Sequence, residues 1–134
     1  MHILYIDDDS EDREIFREAI SEIGPSYVCN VATDGSEGME ALETSVIIPD
    51  YIFVDVNMPV MNGRQFLERV KTIPGFRSIP VIMYSTTSFT QERNEYFRLG
   101  ALDVLVKPNT FTEICDLLKN VIEGKHEPNR PLTS

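Results

Sequence analysis

The chain has 134 residues, with 12 Lys and Arg against 22 Asp and Glu, a formal net charge of −10. Hydrophobic residues make up 42% and charged residues 25%, which predicts one soluble globular domain with a core of its own. The acidity argues against nucleic acid and an anionic membrane surface as partners. No apolar run approaches the roughly 20 residues of a membrane span, and Met1–Asp7 lacks the basic start of a signal peptide, so a cytoplasmic location is expected.

Short apolar runs alternate with amphipathic stretches along the chain. Ile3–Ile6 predicts a buried strand, and it ends in Asp7-Asp8-Asp9. Asp9 reads as a helix cap, and Glu11, Asp12 and Glu14 read as a solvated helix start, where acids suit the dipole. Ile15, Phe16, Ala19, Ile20 and Ile23 then recur at helical spacing until Gly24-Pro25 stops the run. Tyr27–Ala32 predicts the second strand. Asp34, with Glu37 three residues on, opens a helix that turns Met39 and Leu42 inward.

Tyr51–Val56 predicts the third strand and carries Asp55, with Asn57 just beyond. The third helix follows Asn62-Gly63, uses Phe66, Leu67 and Val70, and ends before Pro74. Ile79–Tyr84 predicts the fourth strand, followed by Ser85-Thr86-Thr87. A fourth helix is predicted from near Ser88, boxed by Gln91, with Phe89, Tyr96 and Phe97 apolar, to Gly100. Ala101–Val106 predicts the fifth strand and leads to Lys107-Pro108. The last helix starts at Thr110, boxed by Glu113. It carries Phe111, Ile114, Leu117, Leu118, Val121 and Ile122, and ends at Gly124.

Five strand–helix units predict an α/β fold, a parallel sheet with helices on both faces. Residues 125–134 hold two prolines and no apolar periodicity. The expected organisation is therefore one domain over residues 1–124 and a flexible C-terminal tail over 125–134. Cys29 and Cys115 each lie among apolar neighbours and read as reduced core thiols.

In an open parallel sheet, ligands bind at the edge where the strands end. Asp7, Asp8, Asp55, Ser85 and Lys107 all follow or close predicted strands, so they converge on one crevice. Crowded carboxylates repel, and either one keeps its proton or a cation sits between them. An all-oxygen site suits Mg²⁺. With a lysine and a hydroxyl opposite, the open metal positions suit a phosphoryl group. A carboxylate is a competent nucleophile toward phosphorus once a metal reduces the repulsion, and Asp55, central on a buried run, is the best candidate. His2 and His126 sit at the chain ends and offer no general base there.

These residues carry a resemblance. The run Ile3-Leu4-Tyr5-Ile6-Asp7-Asp8, the stretch Asp34–Leu42, the segment Asp55-Val56-Asn57-Met58-Pro59-Val60-Met61-Asn62-Gly63, the segment Ile79–Ser85 and the close Val106-Lys107-Pro108 together resemble the receiver domain of bacterial two-component response regulators. The resemblance implies a flavodoxin-like (βα)5 three-layer sandwich with strand order 2-1-3-4-5. It implies that Asp55 accepts a phosphoryl group from a phosphohistidine on a sensor histidine kinase or a histidine phosphotransfer protein. It also implies that Asp8 binds Mg²⁺ directly, Asp7 mainly through water, and Asn57 through its backbone carbonyl. Lys107 would pair with the phosphoryl group, its bond to Pro108 would be cis, and Ser85 would act as the hydroxyl switch. Output would pass to a downstream protein through the modified surface, with Asn57 and Thr87 placed to tune hydrolytic water.

One departure stands out: Val104 occupies the position where the family often has an aromatic ring that turns inward on activation. Two other readings remain. A phosphatase of the haloacid dehalogenase type would use Asp7 as nucleophile, but Glu11 stands where that motif wants Thr or Val. A receiver-like interaction module that is never phosphorylated would not need the set Asp8, Asp55, Ser85 and Lys107.

Overall fold

The computed structural model describes residues 1–86 and 92–124. Ten elements alternate along it: β1 (His2–Ile6), α1 (Ser10–Ile23), β2 (Val28–Ala32), α2 (Gly35–Thr44), β3 (Tyr51–Val54), α3 (Gly63–Thr72), β4 (Val81–Ser85), α4 (Arg93–Arg98), β5 (Asp103–Val106) and α5 (Phe111–Ile122). The strands are all parallel, in the order β2-β1-β3-β4-β5. This is the flavodoxin-like arrangement expected from the sequence.

Alternation along the central strands feeds two cores. Ile3 and Tyr5 of β1 pack with Phe16, Ile20, Phe53, Tyr84 and Leu118 on the α1–α5 side. Leu4 and Ile6 pack with Leu42, Val54, Phe66, Val70 and Met83 on the α2–α3 side. A strand covered on both faces must be apolar at every position, which is why β1, β3 and β4 read as unbroken apolar runs.

Side-chain caps fix where the helices begin. Asp9 accepts from the backbone N–H groups of Glu11 and Asp12 at the head of α1. Asp34 accepts from Glu37 N–H at the head of α2, but the Glu37 carboxylate reaches back to Thr33 rather than to Asp34. Asn62 and Gln65 form a full reciprocal box on α3, and Thr110 caps α5. Gly124, in left-handed backbone at φ 74°, follows the last turn of α5.

Differences from the sequence reading lie mostly at element ends. β3 ends at Val54, short of the expected Val56, and β4 and β5 start at Val81 and Asp103, later than expected. Phe111, read as part of the inward stripe of α5, is exposed at the helix start. Cys29 and Cys115 pack at the margin of the α1–α5 core rather than within it. Burial pushes the Cys29 thiol up to about 12, so it stays protonated. The expected start of α4 near Ser88, with Phe89 and Gln91, lies outside the described residues, as do Thr87, His126 and the tail over 125–134.

Candidate functional site

Register brings the strand ends together. Ile6 pairs with both Ala32 and Val54, Val54 with Met83, and Ser85 with Val106. The pairing continues one step further, with Asp55 N–H donating to Ile6 O at 2.9 Å and Lys107 N–H to Ser85 O at 2.8 Å. Asp7, Asp55, Ser85 and Lys107 thus stand side by side on one rim.

Strand period then decides what faces what. Asp7 continues the face of Ile3 and Tyr5, and Lys107 continues the face of Leu105, all toward the α1–α5 layer. Tyr5, two residues before Asp7, therefore donates its hydroxyl to Asp7 Oδ2. Lys107 Nζ lies 2.6 Å from Asp7 Oδ2, 2.9 Å from Asp12 Oδ2 and 3.9 Å from Asp55 Oδ1. It also sits 5.7 Å above the centre of the Tyr84 ring. Arg13 Nη1 donates to the Asp7 carbonyl at 2.8 Å and pins the loop into α1.

Asp7, Asp55 and Ser85 are buried, and Asp8 is exposed at the lip. Carboxylate oxygens of Asp7, Asp8 and Asp55 lie within 4.8 Å of one another. Burial pushes the Asp55 carboxyl up to about 6, and the charge of Asp7 adds to this. The Lys107 ammonium, the Val56 backbone and a hydrogen bond from the Ser85 side chain pull the other way. Burial disfavours the Lys107 charge, but hydrogen bonds to Asp7 and Asp12 outweigh it and raise its pKa. Several carboxylates around a single lysine, with one of them open to water, form a hard, all-oxygen donor set that suits a divalent cation.

The loop after Asp55 is held by close packing. Gly63 N–H donates to Val56 O at 3.0 Å. A Cβ on Gly63 would lie 2.3 Å from the Asp55 carbonyl oxygen, so no other residue fits without moving Asp55. Val60 adopts φ 65°, a left-handed backbone that is rare for a β-branched residue, with its side chain in solvent.

A family model described as the response regulator receiver domain matches residues 3–119. The chain belongs to the response regulator receiver family. This receiver is 31% identical over 121 residues to the sensor histidine kinase CheAY of Helicobacter pylori, a match over 90% of this chain and 15% of that protein. It is 34% identical to a protein-glutamate methylesterase/protein-glutamine glutaminase of Methanococcoides burtonii, over 89% of this chain and 33% of that one. It thus spans a third or less of these two curated relatives. The structure of the chemotaxis response regulator CheY4 of Vibrio cholerae superposes with a TM-score of 0.78 at 28% identity, covering 90% of this chain and 97% of that chain.

The receiver brings together Asp7, Asp8, Asp55, Ser85 and Lys107 as the sequence reading expected. Ser85, rather than the exposed Thr86, is the buried hydroxyl. Asn57 is exposed in the loop beyond Asp55. Two readings need correction. The Lys107–Pro108 bond is trans, the form ordinarily favoured before proline, and not cis. Asp12, read as a solvated helix-start acid, is a direct partner of Lys107. Tyr5, read as a core residue, also holds Asp7. Its signal was the two-residue spacing to Asp7 on one strand face. Asp12 left no comparable trace, because it meets Lys107 only through the fold. Val104 packs in the α2–α3 core, away from the Lys107 side of the sheet.

Proposed function

We propose that this receiver takes a phosphoryl group onto Asp55 from a phosphohistidine, on a sensor histidine kinase or a histidine phosphotransfer protein. The observation that carries the reading is the placement of Asp55 within 4.8 Å of the Asp7 and Asp8 carboxylates and 3.9 Å from the Lys107 ammonium. In the transfer, a carboxylate oxygen of Asp55 forms the new P–O bond as the P–N bond to the donor imidazole breaks, and the imidazole leaves with the bond's electron pair. Asp55, with its pKa near 6, is mostly ionised at neutral pH and so is ready to attack.

Mg²⁺, held by Asp8 and Asp55, by the Asn57 backbone carbonyl and through water by Asp7, would neutralise charge on the transferring oxygens. Lys107, 3.9 Å from Asp55 Oδ1, supplies a second positive charge, and Ser85 offers a hydroxyl donor. Ser85 then acts as the switch by following the phosphoryl oxygen. The proposed working unit is residues 1–124 with 125–134 as a tail. Among the described residues no helix is long and apolar enough to cross a membrane, which accords with a cytoplasmic signalling role. The net charge of −10 favours a protein rather than a nucleic acid as downstream partner.

Asp7 is 1% exposed and engaged by Tyr5 and Lys107, which counts against its serving as the nucleophile of a haloacid dehalogenase-type phosphatase. The test is intact mass after incubation with Mg²⁺ and a small acyl phosphate. A single phosphoryl adduct on the native chain, absent from Asp55→Asn, supports the reading. The same adduct on both proteins, or none on the native chain, overturns it.

A further inference from the structure

We propose that Asp12 is a positioning residue for Lys107, holding its ammonium back from Asp55 until a phosphoryl group arrives. The inference rests on the reading of Asp55 as phosphoacceptor. Lys107 Nζ has three protons to place. Two go to Asp7 and Asp12, at 2.6 and 2.9 Å, while Asp55 Oδ1 at 3.9 Å lies beyond hydrogen-bond reach. The ammonium is therefore drawn toward α1 rather than toward the reacting carboxylate.

The two anchors differ in how readily they let go. Asp7 is 1% exposed, takes the Tyr5 hydroxyl, and has its carbonyl tied to Arg13. Releasing it would strand a buried charge. The Asp12 side chain is 33% exposed and on the first turn of α1, so it turns to water at small cost. A phosphoryl group on Asp55 brings doubly charged oxygens toward Lys107, a stronger acceptor than a surface carboxylate. Asp12 is the partner Lys107 gives up. The first turn of α1 then senses the state of Asp55, by a route that needs no aromatic ring at Val104.

The test uses the full ¹⁵N-labelled chain with Mg²⁺ and beryllofluoride, a stable phosphoryl mimic. It compares the native chain with Asp12→Asn, Asp12→Ala and Glu11→Gln, each checked for native circular dichroism. Glu11→Gln removes the same charge from the same helix turn without touching Lys107. Native protein is expected to show amide shifts at Glu11, Asp12 and Arg13 on binding the mimic. Both Asp12 variants are expected to bind it about threefold more tightly, the scale of one partly exposed ion pair, with those shifts reduced. Glu11→Gln is expected to match the native affinity. Native or weaker affinity in the Asp12 variants, or equal tightening in Glu11→Gln, overturns the proposal while leaving Asp55 as phosphoacceptor. Failure of the native chain to bind the mimic removes that reading and this one together.

Discussion

Asp55 sits where burial and the Asp7 charge raise its pKa from the ordinary carboxylate range to about 6. The folded chain then holds this proton more tightly than the unfolded chain does. Stability therefore falls as pH rises from about 4 to 6, and the cost of the ionised side chain is fully present above that window. In divalent-free buffer at pH 7, Asp55→Asn is expected to be more stable than the native chain by about 1–2 kcal/mol. The gap should close below about pH 4. Urea titrations at both pH values check this, and equal stability at pH 7 would refute it. Tyr5→Phe acts at the same scale. It removes a buried hydroxyl from Asp7 while keeping the ring stacked on Phe16, and it should cost about 1 kcal/mol by the same titration.

At the scale of elements, α3 and the loop after Asp55 are locked by Gly63 against the Asp55 carbonyl. Gly63→Ala has to move one or the other, so about 1–3 kcal/mol of stability should be lost, and acyl-phosphate labelling of Asp55 should slow. Asn62→Ala removes only the cap and should cost about 1 kcal/mol with labelling unchanged, which separates helix stability from loop placement. The elements were legible because apolar runs and capping residues mark them directly. Their ends were less so: nothing in Tyr51–Val56 says that the strand ends at Val54, with one further ladder bond from Asp55 N–H to Ile6 O. Asp7, Asp55, Ser85 and Lys107 could be located because a parallel sheet gathers its strand ends on one rim. Asp12 could not, since an acid in a first helical turn is already accounted for by the helix dipole, and its partner lies 95 residues away. The geometry of the Lys107–Pro108 bond was likewise assigned by resemblance and not by any local signal.

For the molecule as a whole, the net charge of −10 is concentrated in part on the rim, where Asp7, Asp12 and Asp55 surround Lys107 and Asp8 adjoins Asp7 and Asp55. A cation bound there only in the folded state should raise the melting temperature. At a hundredfold excess over its dissociation constant it adds about 2.7 kcal/mol. Mg²⁺ is expected to show this effect, with chelator reversing it and Asp8→Asn largely abolishing it. A melting temperature insensitive to Mg²⁺ would argue against the cation site. The buried middle layer sets a further limit. β1 sends alternate side chains into both cores and so ties the two sides of the sheet together. Under the proposed function, the response to a phosphoryl group on the acidic rim is therefore expected in outer turns and helix starts. Comparing amide hydrogen exchange with and without the mimic should show changes at those margins and an unchanged, slowly exchanging centre.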